Sequence, residues 1–401
     1  MGEFWGAPGT TKIMQPALSS EESLHWLALR MSAGVGTRKA GQLVEIFRTP
    51  QAIFRASREE LEEAGLSPAV AQSVASGCAF EEAAEQHEKA AKLGVELVPI
   101  TDSRYPARLK EIFDPPPLLY ARGRVELLGR LMLAVVGTRR PTAYGTQVAT
   151  RLSKDLSEAG LTIASGMARG IDTAAHRAVL DAGGDTVAVF GCGVDEVYPA
   201  ENRKLAETLS EKGLVISEFP MGAPPFPQNF PVRNRVISGM SAGVLVVEGG
   251  EYSGSTITAK LASEQNREMF AVPGNVTSKM SWGPNLLIKQ GAKLVQEWND
   301  VVTELKAEDR RRLVEQVRNR LNINEKNASE SREPFPASDL PANARLILKA
   351  LKHDAPVSLE ALIEMLEGSS FSDIVAALFE LEMGGLVRQL PGKSYIKVWA
   401  E

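Results

Sequence analysis

The sequence contains few of the residues on which disulfide, zinc and histidine chemistry depend. Only two cysteines, Cys78 and Cys192, and four histidines occur among 401 residues. This number of cysteines excludes a disulfide scaffold and a cysteine-based zinc site, and it suits a reducing compartment such as the cytoplasm. We therefore expect a cytoplasmic protein without a bound metal.

Long apolar runs and a basic excess are also missing. No stretch approaches the roughly 20 apolar residues of a membrane span, so no membrane association is expected. Residues 1–20 lack the basic and apolar regions of a signal peptide, and we interpret them as a disordered lead-in. Lys and Arg number 45 against 50 Asp and Glu, for a net charge of −5. Any contact with nucleic acid therefore requires a local basic crevice.

The motifs of common nucleotide-binding loops and catalytic triads are absent. Residues 191–196 read GCGVDE rather than GxGxxG, and no GxxxxGK[ST] loop occurs, so neither a dinucleotide nor a P-loop nucleotide site is predicted. Asp172 and His176 lie one helical turn apart. We interpret Asp172 as a helix N-cap and His176 as a hydrogen-bonded core or interface residue. The sequence thus favours a binding protein without catalytic residues or a cofactor over an enzyme.

Residues 131–302 have the pattern of a parallel sheet with helices. Apolar runs of four to seven residues are each followed by a turn that contains Gly or Pro, and in most cases by an amphipathic helical pattern. This pattern predicts an α/β fold with a doubly wound, mostly parallel sheet covered on both faces. The predicted strands are residues 131–136, 161–164, 186–190, 214–217, 243–247 and 269–272.

Glycine and arginine recur where these strands end. Glycine leaves room for a close-lying ligand, and arginine offers a planar, permanently charged fork to phosphate. Because ligands of such sheets bind outside the carboxyl ends of the strands, we predict one crevice for a phosphate-bearing ligand. Its candidate residues are Gly137, Thr138, Arg139, Arg140, Ser165, Gly166, Arg169, Gly170, Arg177, Phe230, Arg233, Asn234, Arg235, Gly254, Ser255 and Thr256.

Two parts of this predicted crevice have a specific chemistry. Residues 253–256 (SGST) begin a predicted helix, whose N–H groups with Ser255 and Thr256 form an anion site. Phe226 and Phe230 flank a proline-rich loop that leads to arginines. An aromatic ring beside arginines can stack on an unpaired base, and burial of one or both rings is the equal alternative.

Residues 21–98 have a helical pattern throughout. Segments 33–47 and 64–74 each place a helix after a glycine-containing turn, which resembles the paired helix-hairpin-helix motifs of a SAM-like domain. Arg38 and Lys39 at the first turn are candidates for an auxiliary DNA contact, with a packing or protein-contact role as the alternative. Three consecutive prolines predict that residues 95–129 form an extended connector.

The C-terminal part begins with a charged helical pattern and a polar, flexible linker over 306–340. Residues 341–401 then have the order of a winged helix, with three helices and a hairpin that ends at Trp399. The third predicted helix has no Lys or Arg. We therefore expect it to contact protein or duplex shape rather than bases, and the pattern does not separate those two. The predicted domains are 1–20, 21–98, 99–305, 306–340 and 341–401.

Several phrases between about residues 100 and 300 resemble the DNA-processing protein A (DprA/Smf) family. They include YPARL, DPPPLLYARG, VVGTRRPTAYG, SGMARGIDTAAH and NFPVRNRVISGMS, in the family's order. The resemblance implies an extended Rossmann-like domain that binds single-stranded DNA. It also implies a recombination mediator, usually a homodimer, that protects incoming strands and loads the RecA recombinase during natural transformation.

For individual residues, the resemblance implies a DNA site in three segments. These are Gly137 to Arg139, with Arg139 as the leading phosphate contact, the loop 165–172, and the segment 230–235, where Phe230 stacks on a base. The sequence departs from the family at Pro227, where several relatives place a basic residue. That departure puts one expected phosphate contact in doubt, with Arg140 or Arg233 as its replacement.

A second class of function is a Rossmann-like nucleoside-phosphate hydrolase. The lysine-decarboxylase-like phosphoribohydrolases share the phrase PGGxGTxxE, whose Glu is catalytic. The matching strand end here reads VEGGEYSGSTITAK, and a residue without a carboxylate takes the place of that Glu. We therefore expect a non-enzymatic mediator that binds single-stranded DNA, with the hydrolase as the alternative.

Overall fold

The computed structural model describes residues 18–251, 253–325, 341–352, 357–366, 368–383, 386–390 and 394–397. The chain divides into two compact units. The first unit contains the residues up to 105 together with 114–120, and the second contains 106–113 and the residues from 121 onward. None of the described helices is long and apolar enough to cross a membrane.

The first unit is mainly helical. Capping boxes at Ser19 with Glu22 and at Ser57 with Glu60 fix where two of its helices begin. The predicted helical pattern is confirmed except at residues 96–98, which belong to a strand. The elements are α1 (Ser20–Met31), α2 (Thr37–Phe47), α3 (Pro50–Arg55), α4 (Arg58–Glu63), α5 (Pro68–Ala75), α6 (Phe80–Lys92) and β1 (Glu96–Pro99).

The predicted extended connector is wrong for much of its length. A helical turn, α7 (Ala107–Lys110), follows Pro106, and a 3-10 helix spans Val125–Gly129. Between them lies strand β2 (Leu118–Gly123), whose first four residues are buried. The three prolines limit only residues 115–117, and the apolar run after them pairs as a strand.

The second unit contains a parallel sheet, as predicted. Its strands are β3 (Met132–Val136), β4 (Thr162–Ser165), β5 (Thr186–Val189), β6 (Leu214–Ser217), β7 (Gly243–Val246), β8 (Glu268–Ala271) and β9 (Lys293–Leu294). They lie in the order β6-β5-β4-β3-β7-β8-β9, each parallel to its neighbours, and β2 is next to β6. The chain runs outward from β3 to β6 and returns on the other side of β3 at β7. This reversal is the topological switch point beside which ligands of doubly wound sheets bind.

Helices cover both faces of this sheet. On one face, α8 and α9 pack together against the sheet, where Leu133 and Val135 contribute to the core with Leu152 and Leu156. On the other face, α11 and α12 pack together and contact β3 and β7 respectively. The helices are α8 (Ala143–Glu158), α9 (Ile171–Asp181), α10 (Arg203–Lys212), α11 (Asn229–Met240), α12 (Gly254–Glu264), α13 (Trp282–Lys289), α14 (Trp298–Glu304) and α15 (Ala307–Glu325).

The C-terminal part of the second unit is a winged helix, as predicted. Its helices are α16 (Ala342–Ala350), α17 (Leu359–Met365) and α18 (Phe371–Met383), and its antiparallel strands are β10 (Val357–Ser358), β11 (Val387–Leu390) and β12 (Ser394–Lys397). The Phe371 ring packs edge-on to Trp298, with 5.7 Å between ring centroids, and the Ser372 hydroxyl donates to the Glu158 carbonyl at 3.1 Å. Of the predicted flexible linker, residues 322–325 instead continue α15, and residues 326–340 lie outside the described residues, as do most of the lead-in and Trp399.

Candidate nucleic-acid interface

Three loops meet at the carboxyl edge of the sheet beside the switch point. The Thr138 N–H donates to the Glu248 carbonyl at 2.7 Å, which joins the loop after β3 to the loop after β7. The Ile171 N–H donates to the Thr138 carbonyl at 3.3 Å, which adds the loop after β4. Gly170 has a positive φ of 79°, and a Cβ there would overlap the Thr138 carbonyl. Glycine is therefore required at this junction for its backbone angle and for its size.

Glu248 fixes the first turn of α8 to the loop after β7. Glu248 is 2% exposed, and its carboxylate accepts from the Thr142 hydroxyl at 2.6 Å and the Thr142 N–H at 2.9 Å. Gly145 leaves the space that this carboxylate fills. A carboxylate is favourable at a helix N-terminus, where the backbone N–H groups carry partial positive charge. The geometry of Glu248 is therefore that of a structural contact.

The loop after β4 is held from inside by a buried carboxylate and a buried guanidinium. Asp172 Oδ2 accepts from the Gly166 N–H at 3.1 Å and the Ala168 N–H at 3.3 Å. Arg233 Nη1 donates to the Gly166 carbonyl at 2.5 Å and to the Val189 carbonyl. The Arg233 guanidinium occupies the space that a Cβ at residue 166 would need, so only glycine fits at this position. The two ionic groups thus shape the loop that borders the predicted crevice.

The prediction that Asp172 is the N-cap of α9 is wrong. Gly170 occupies the N-cap position, and Asp172 lies inside the first turn, from which it reaches back to the loop. Burial raises the pKa of Asp172 to about 6, and the nearby positive charge of Arg233 opposes that rise. The carboxylate is thus ionised at neutral pH at a free-energy cost that its hydrogen bonds and Arg233 offset.

His176 is a buried, hydrogen-bonded core residue, as the sequence predicted. Its Nδ1 lies 2.7 Å from the Thr186 hydroxyl oxygen, which in turn donates to the Ile163 carbonyl at 2.7 Å. Since that hydroxyl uses its proton on the carbonyl, Nδ1 carries the hydrogen and donates to it. Burial lowers the pKa of His176 to about 3. The ring is therefore neutral throughout the physiological range.

Replacement of His176 by Gln is expected to change how stability depends on pH. The folded histidine takes up a proton only near pH 3, whereas the unfolded one does so near 6.5. The wild-type chain should therefore lose stability as pH falls from 6.5 towards 3, by about 1.4 kcal/mol per pH unit, and the variant lacks this loss. Asp172 contributes with the opposite sign between pH 3.8 and 6, but it is common to both proteins.

The measurement is the difference in unfolding free energy between His176→Gln and wild type, from urea denaturation at a series of pH values between 4 and 8. That difference should shift steadily in favour of the variant below pH 6.5. A difference that does not change with pH would contradict the buried, neutral state of His176.

An aromatic and arginine cluster borders the crevice. Phe230 lies in the first turn of α11, and its ring centroid is 5.4 Å from the Arg139 Cζ and 6.0 Å from the Arg233 Cζ. Both distances are within the range of cation–π attraction. The Tyr198 ring also packs on Phe230, with 5.4 Å between ring centroids and 35° between the ring planes. Gly191 leaves room for the Phe230 ring to pack against the backbone.

The N-terminus of α12 also lines the crevice. The helix begins at Gly254, within the predicted segment 253–256, and Ser253 is its N-cap residue. The Ser253 hydroxyl lies 2.6 Å from the Ser255 hydroxyl and 3.0 Å from the Thr256 hydroxyl. Backbone N–H groups and hydroxyls at a helix N-terminus are suited to hold a phosphate oxygen.

These elements enclose a pocket of about 620 Å³, which we call the carboxyl-edge pocket. Three arginines line it, and the only carboxylate among its described lining residues is the buried Asp172. Arg139 and Arg140 are exposed, and within the described part of the chain no ion pair involves either of them. The predicted residues that line the pocket are Gly137, Thr138, Arg139, Arg140, Phe230, Arg233, Asn234, Gly254 and Ser255.

Two of the other predicted residues border a small adjoining pocket, and three support the loops from beneath. Gly166 and Arg169 line the adjoining pocket, where Arg169 pairs with Glu201 at 3.0 Å. The Ser165 hydroxyl donates to the Val135 carbonyl at 2.6 Å. Gly170 joins two loops, and Thr256 is buried within the hydroxyl cluster of α12. Ser165, Gly170 and Thr256 thus contribute to the shape of the loops and of the α12 N-terminus rather than to the pocket surface.

Two of the predicted residues of the second unit, Arg177 and Arg235, line neither pocket. Arg235 is buried and pairs with Glu218 at 2.6 Å, so its charge is used inside the protein. Arg177 is exposed on α9 and lines neither pocket. Arg38 and Lys39 lie in the first turn of α2, in the first unit.

Tyr198 is a pocket residue that was not predicted from the sequence. Tyr198 lines both the carboxyl-edge pocket and the adjoining pocket, and 38% of it is exposed. Its position after the glycine-rich end of β5 was available as a signal, since an aromatic residue in a strand-end loop faces the same edge of the sheet. The structural role of Glu248 was also not predicted, because its partner Thr142 is distant in the sequence and no local pattern indicates the contact.

Comparison with known proteins gives consistent matches over most of the chain. A family model described as DNA recombination-mediator protein A matches residues 96–306, and one described as DprA winged helix domain matches residues 331–393. The protein named Smf of Synechocystis sp. is 32% identical over 397 residues, which cover 94% of this chain and 99% of that protein. The DNA processing protein DprA of Bacillus subtilis is 45% identical over 213 residues, or 53% of this chain and 72% of that protein.

A solved structure agrees with these sequence matches. The X-ray structure of DNA processing protein A (DprA) from Streptococcus pneumoniae has a TM-score of 0.64 and 34% identity, and the match covers 73% of this chain and 99% of that one. The resemblance noted from individual phrases is thus confirmed by a relative matched over nearly its whole length. The chain belongs to the DNA recombination-mediator protein A family, that of the DprA and Smf proteins.

Proposed function

We propose that the chain binds single-stranded DNA in the carboxyl-edge pocket and acts as a recombination mediator that loads a RecA-type recombinase. The observation that carries the proposal is the convergence of Arg139, Arg140 and the N-terminus of α12 around one pocket beside the aromatic cluster. The proposal includes a homodimer, cytoplasmic action and protection of incoming strands. It receives support from the family, whose name describes a recombination mediator.

The chemistry of the pocket suits a sugar-phosphate strand with unpaired bases. Arg139 and Arg140 line the pocket together with the hydroxyls at the N-terminus of α12, so guanidinium groups and a helix N-terminus are both available to phosphates. An aromatic ring near the arginines gives a stacking surface that a base inside a duplex cannot reach. Because these contacts address phosphates and ring faces, we propose binding with little sequence preference.

The first test is binding of fluorescent oligo-dT of increasing length to the full chain, followed by anisotropy over a range of salt concentrations. We expect affinity to rise with length until the pocket is filled. The log of the binding constant should fall against the log of salt concentration, with a slope of about 0.7 for each phosphate neutralised. Arg139 and Arg140 together predict a slope of about 1.4 or more. Binding that is independent of salt would contradict the proposed contacts.

The second test addresses recombinase loading. It measures RecA-dependent strand exchange, with and without the full chain, on DNA coated with single-strand-binding protein. The full chain should shorten the lag before exchange, and a variant that fails to bind oligo-dT should not. Light scattering of the free chain measures the proposed dimer. An unchanged lag with a chain that binds oligo-dT would remove the loading step and leave the DNA-binding step.

A further inference from the structure

We infer that the second unit holds another ligand site, separate from the carboxyl-edge pocket, that binds the phosphate and base of a nucleotide. The site is a cavity of about 400 Å³ lined by α10, β6 and the ends of β2 and β5, which we call the α10 pocket. It shares no lining residue with the carboxyl-edge pocket or the adjoining pocket. Its lining residues are Arg122, Phe190, Val194, Asp195, Glu196, Val197, Arg203, Ala206, Glu207, Ser210 and Val215. None of them was among the predicted site residues.

Two guanidinium groups from different elements line the α10 pocket. Arg122 is half-buried in β2, and Arg203 is exposed at the first position of α10. Among the described residues, no ion pair or side-chain hydrogen bond involves either guanidinium. Arg124 by contrast pairs with Asp185 at 2.6 Å and with Glu126 at 2.9 Å. Arg122 and Arg203 thus keep their donors for a ligand, and two planar forks suit the several oxygens of one phosphate.

Carboxylates line the same cavity without neutralising these arginines. Glu196 and Glu207 are exposed, and within the part of the chain that the structure describes neither takes part in an ion pair. Glu207 lies one helical turn after Arg203, a spacing at which helix ion pairs form, and yet the two do not pair. Asp195 differs, since both of its carboxylate oxygens accept from the Gly222 N–H, at 2.9 and 3.0 Å. Glu196 and Glu207 therefore remain acceptors for donor groups of a ligand.

Apolar side chains complete the lining and favour a ligand that contains a ring. Phe190, Val194 and Val215 line the pocket and are buried. A cavity of about 300 to 1,000 Å³ with a few charged groups beside an apolar surface is typical of small-molecule sites. A nucleotide has phosphate oxygens for the arginines, a ring face for the apolar surface, and amino or hydroxyl donors for the glutamates. A single carboxylate, such as that of an amino acid, is satisfied by one arginine and leaves the other unused.

The nucleotide can be free or part of a DNA strand. Val197 lines the α10 pocket, and the next residue, Tyr198, lines the carboxyl-edge pocket, so the two cavities lie at neighbouring residues of one loop. A strand that leaves the carboxyl-edge pocket thus has the α10 pocket nearby. Both sources offer the same phosphate and base chemistry, and the site itself does not depend on the proposed binding of single-stranded DNA.

The first experiment titrates adenosine 5′-monophosphate (AMP) into the full chain by isothermal titration calorimetry. We expect AMP binding that persists in the Arg139→Ala variant, in which the carboxyl-edge pocket is impaired. It should weaken about 10- to 100-fold in Arg122→Ala and in Arg203→Ala, the range for loss of a hydrogen bond to a charged group. Adenosine and inorganic phosphate should each bind at least about 10-fold weaker than AMP, because each has only part of the matching chemistry.

Two further variants separate a specific contact from a general effect of charge. Lys204→Ala is the matched control, since it removes an exposed positive charge from the neighbouring position of α10 that does not line the pocket, and its affinity for AMP should be unchanged. Arg122→Lys keeps the charge and loses the planar fork, so it should bind between the wild type and Arg122→Ala. Circular dichroism establishes that each variant is folded. If Arg122→Ala does not fold, the exposed position of Arg203 still supplies the comparison.

The second experiment identifies the source of the nucleotide. Oligo-dA of increasing length is bound to the wild type, Arg122→Ala and Arg203→Ala and followed by anisotropy. A loss of affinity confined to the longer oligomers assigns the α10 pocket to the DNA strand. Equal affinities at every length, together with weakened AMP binding, assign it to a free nucleotide. Either result supports the site.

Three results would overturn the inference. The first is the absence of AMP binding together with unchanged oligomer affinities in both arginine variants. The second is AMP binding that is lost in Arg139→Ala and kept in Arg203→Ala, which places AMP in the carboxyl-edge pocket. The third is an equal loss in Lys204→Ala and Arg203→Ala. Failure of the wild-type chain to bind any oligomer would instead contradict the proposed function, and the AMP titration would still decide the role of the α10 pocket.

Discussion

Replacement of Arg139 by alanine is expected to weaken the binding of single-stranded DNA about 10- to 100-fold. Arg139 is exposed at the mouth of the carboxyl-edge pocket and lies 5.4 Å from the Phe230 ring, which orients its guanidinium. A hydrogen bond to a charged group contributes about 1.5 to 3 kcal/mol, and 1.4 kcal/mol is a factor of ten in affinity. Anisotropy titration with oligo-dT at fixed salt measures the change.

Four comparisons make this prediction specific. The loss should be the same for oligo-dT and for mixed sequences, because a phosphate contact carries no base information. The slope of log affinity against log salt should fall by about 0.7. Arg139→Lys should bind between the wild type and Arg139→Ala, since it keeps the charge and loses the planar fork. Arg177→Ala, which removes an exposed arginine of α9 outside both pockets, is the matched control and should bind normally. Equal losses in the two alanine variants would place the DNA elsewhere.

Replacement of Asp172 by alanine is expected to reduce the free energy of unfolding by about 3 to 5 kcal/mol at pH 7.5. The change removes the acceptor for the Gly166 and Ala168 N–H groups and leaves the buried guanidinium of Arg233 without its neighbouring opposite charge. Breaking a buried charge pair by removal of one partner costs about this amount. Urea denaturation followed by circular dichroism measures it.

The controls for Asp172 separate loss of charge from loss of a hydrogen-bond acceptor. Asp172→Asn keeps an acceptor oxygen and should be destabilised less than the alanine variant. Asp181→Ala removes an exposed carboxylate from the end of the same helix and should change stability by less than about 0.5 kcal/mol. If Asp172→Ala is as stable as Asp181→Ala, the buried carboxylate does not hold the loop, and groups other than Asp172 stabilise the buried charge of Arg233.

The positions of the strands along the sequence were predictable, because an apolar run bounded by turn residues is a local pattern. Six apolar runs bounded by Gly or Pro correspond to β3–β8 within one or two residues at each end. The start of α11 was not predicted, because the prolines around residue 227 are typical of a loop. Pro231 is nevertheless accommodated in the first turn of the helix, where its missing N–H has no intrahelical partner to lose.

The roles of the individual arginines depended on contacts that sequence patterns do not encode. Arg233 and Arg235 are two residues apart in α11, so their side chains point to different sides of the helix. One supports the Gly166 loop and the other pairs with Glu218, although both had been predicted to contact DNA. Tyr198 was missed for the same reason, since its ring partner Phe230 lies in a different element, the first turn of α11. Sequence therefore predicts which edge carries the site better than which side chain faces outward.

The packing of α18 limits how the winged helix can meet a duplex. Phe371 and Ser372, at the start of this helix, already contact Trp298 and the carbonyl of Glu158 within the second unit. In winged-helix proteins this third helix is the one that enters the major groove. While α18 keeps these intramolecular contacts its first turn is covered, so insertion of this end of α18 into a groove would first require that they be released.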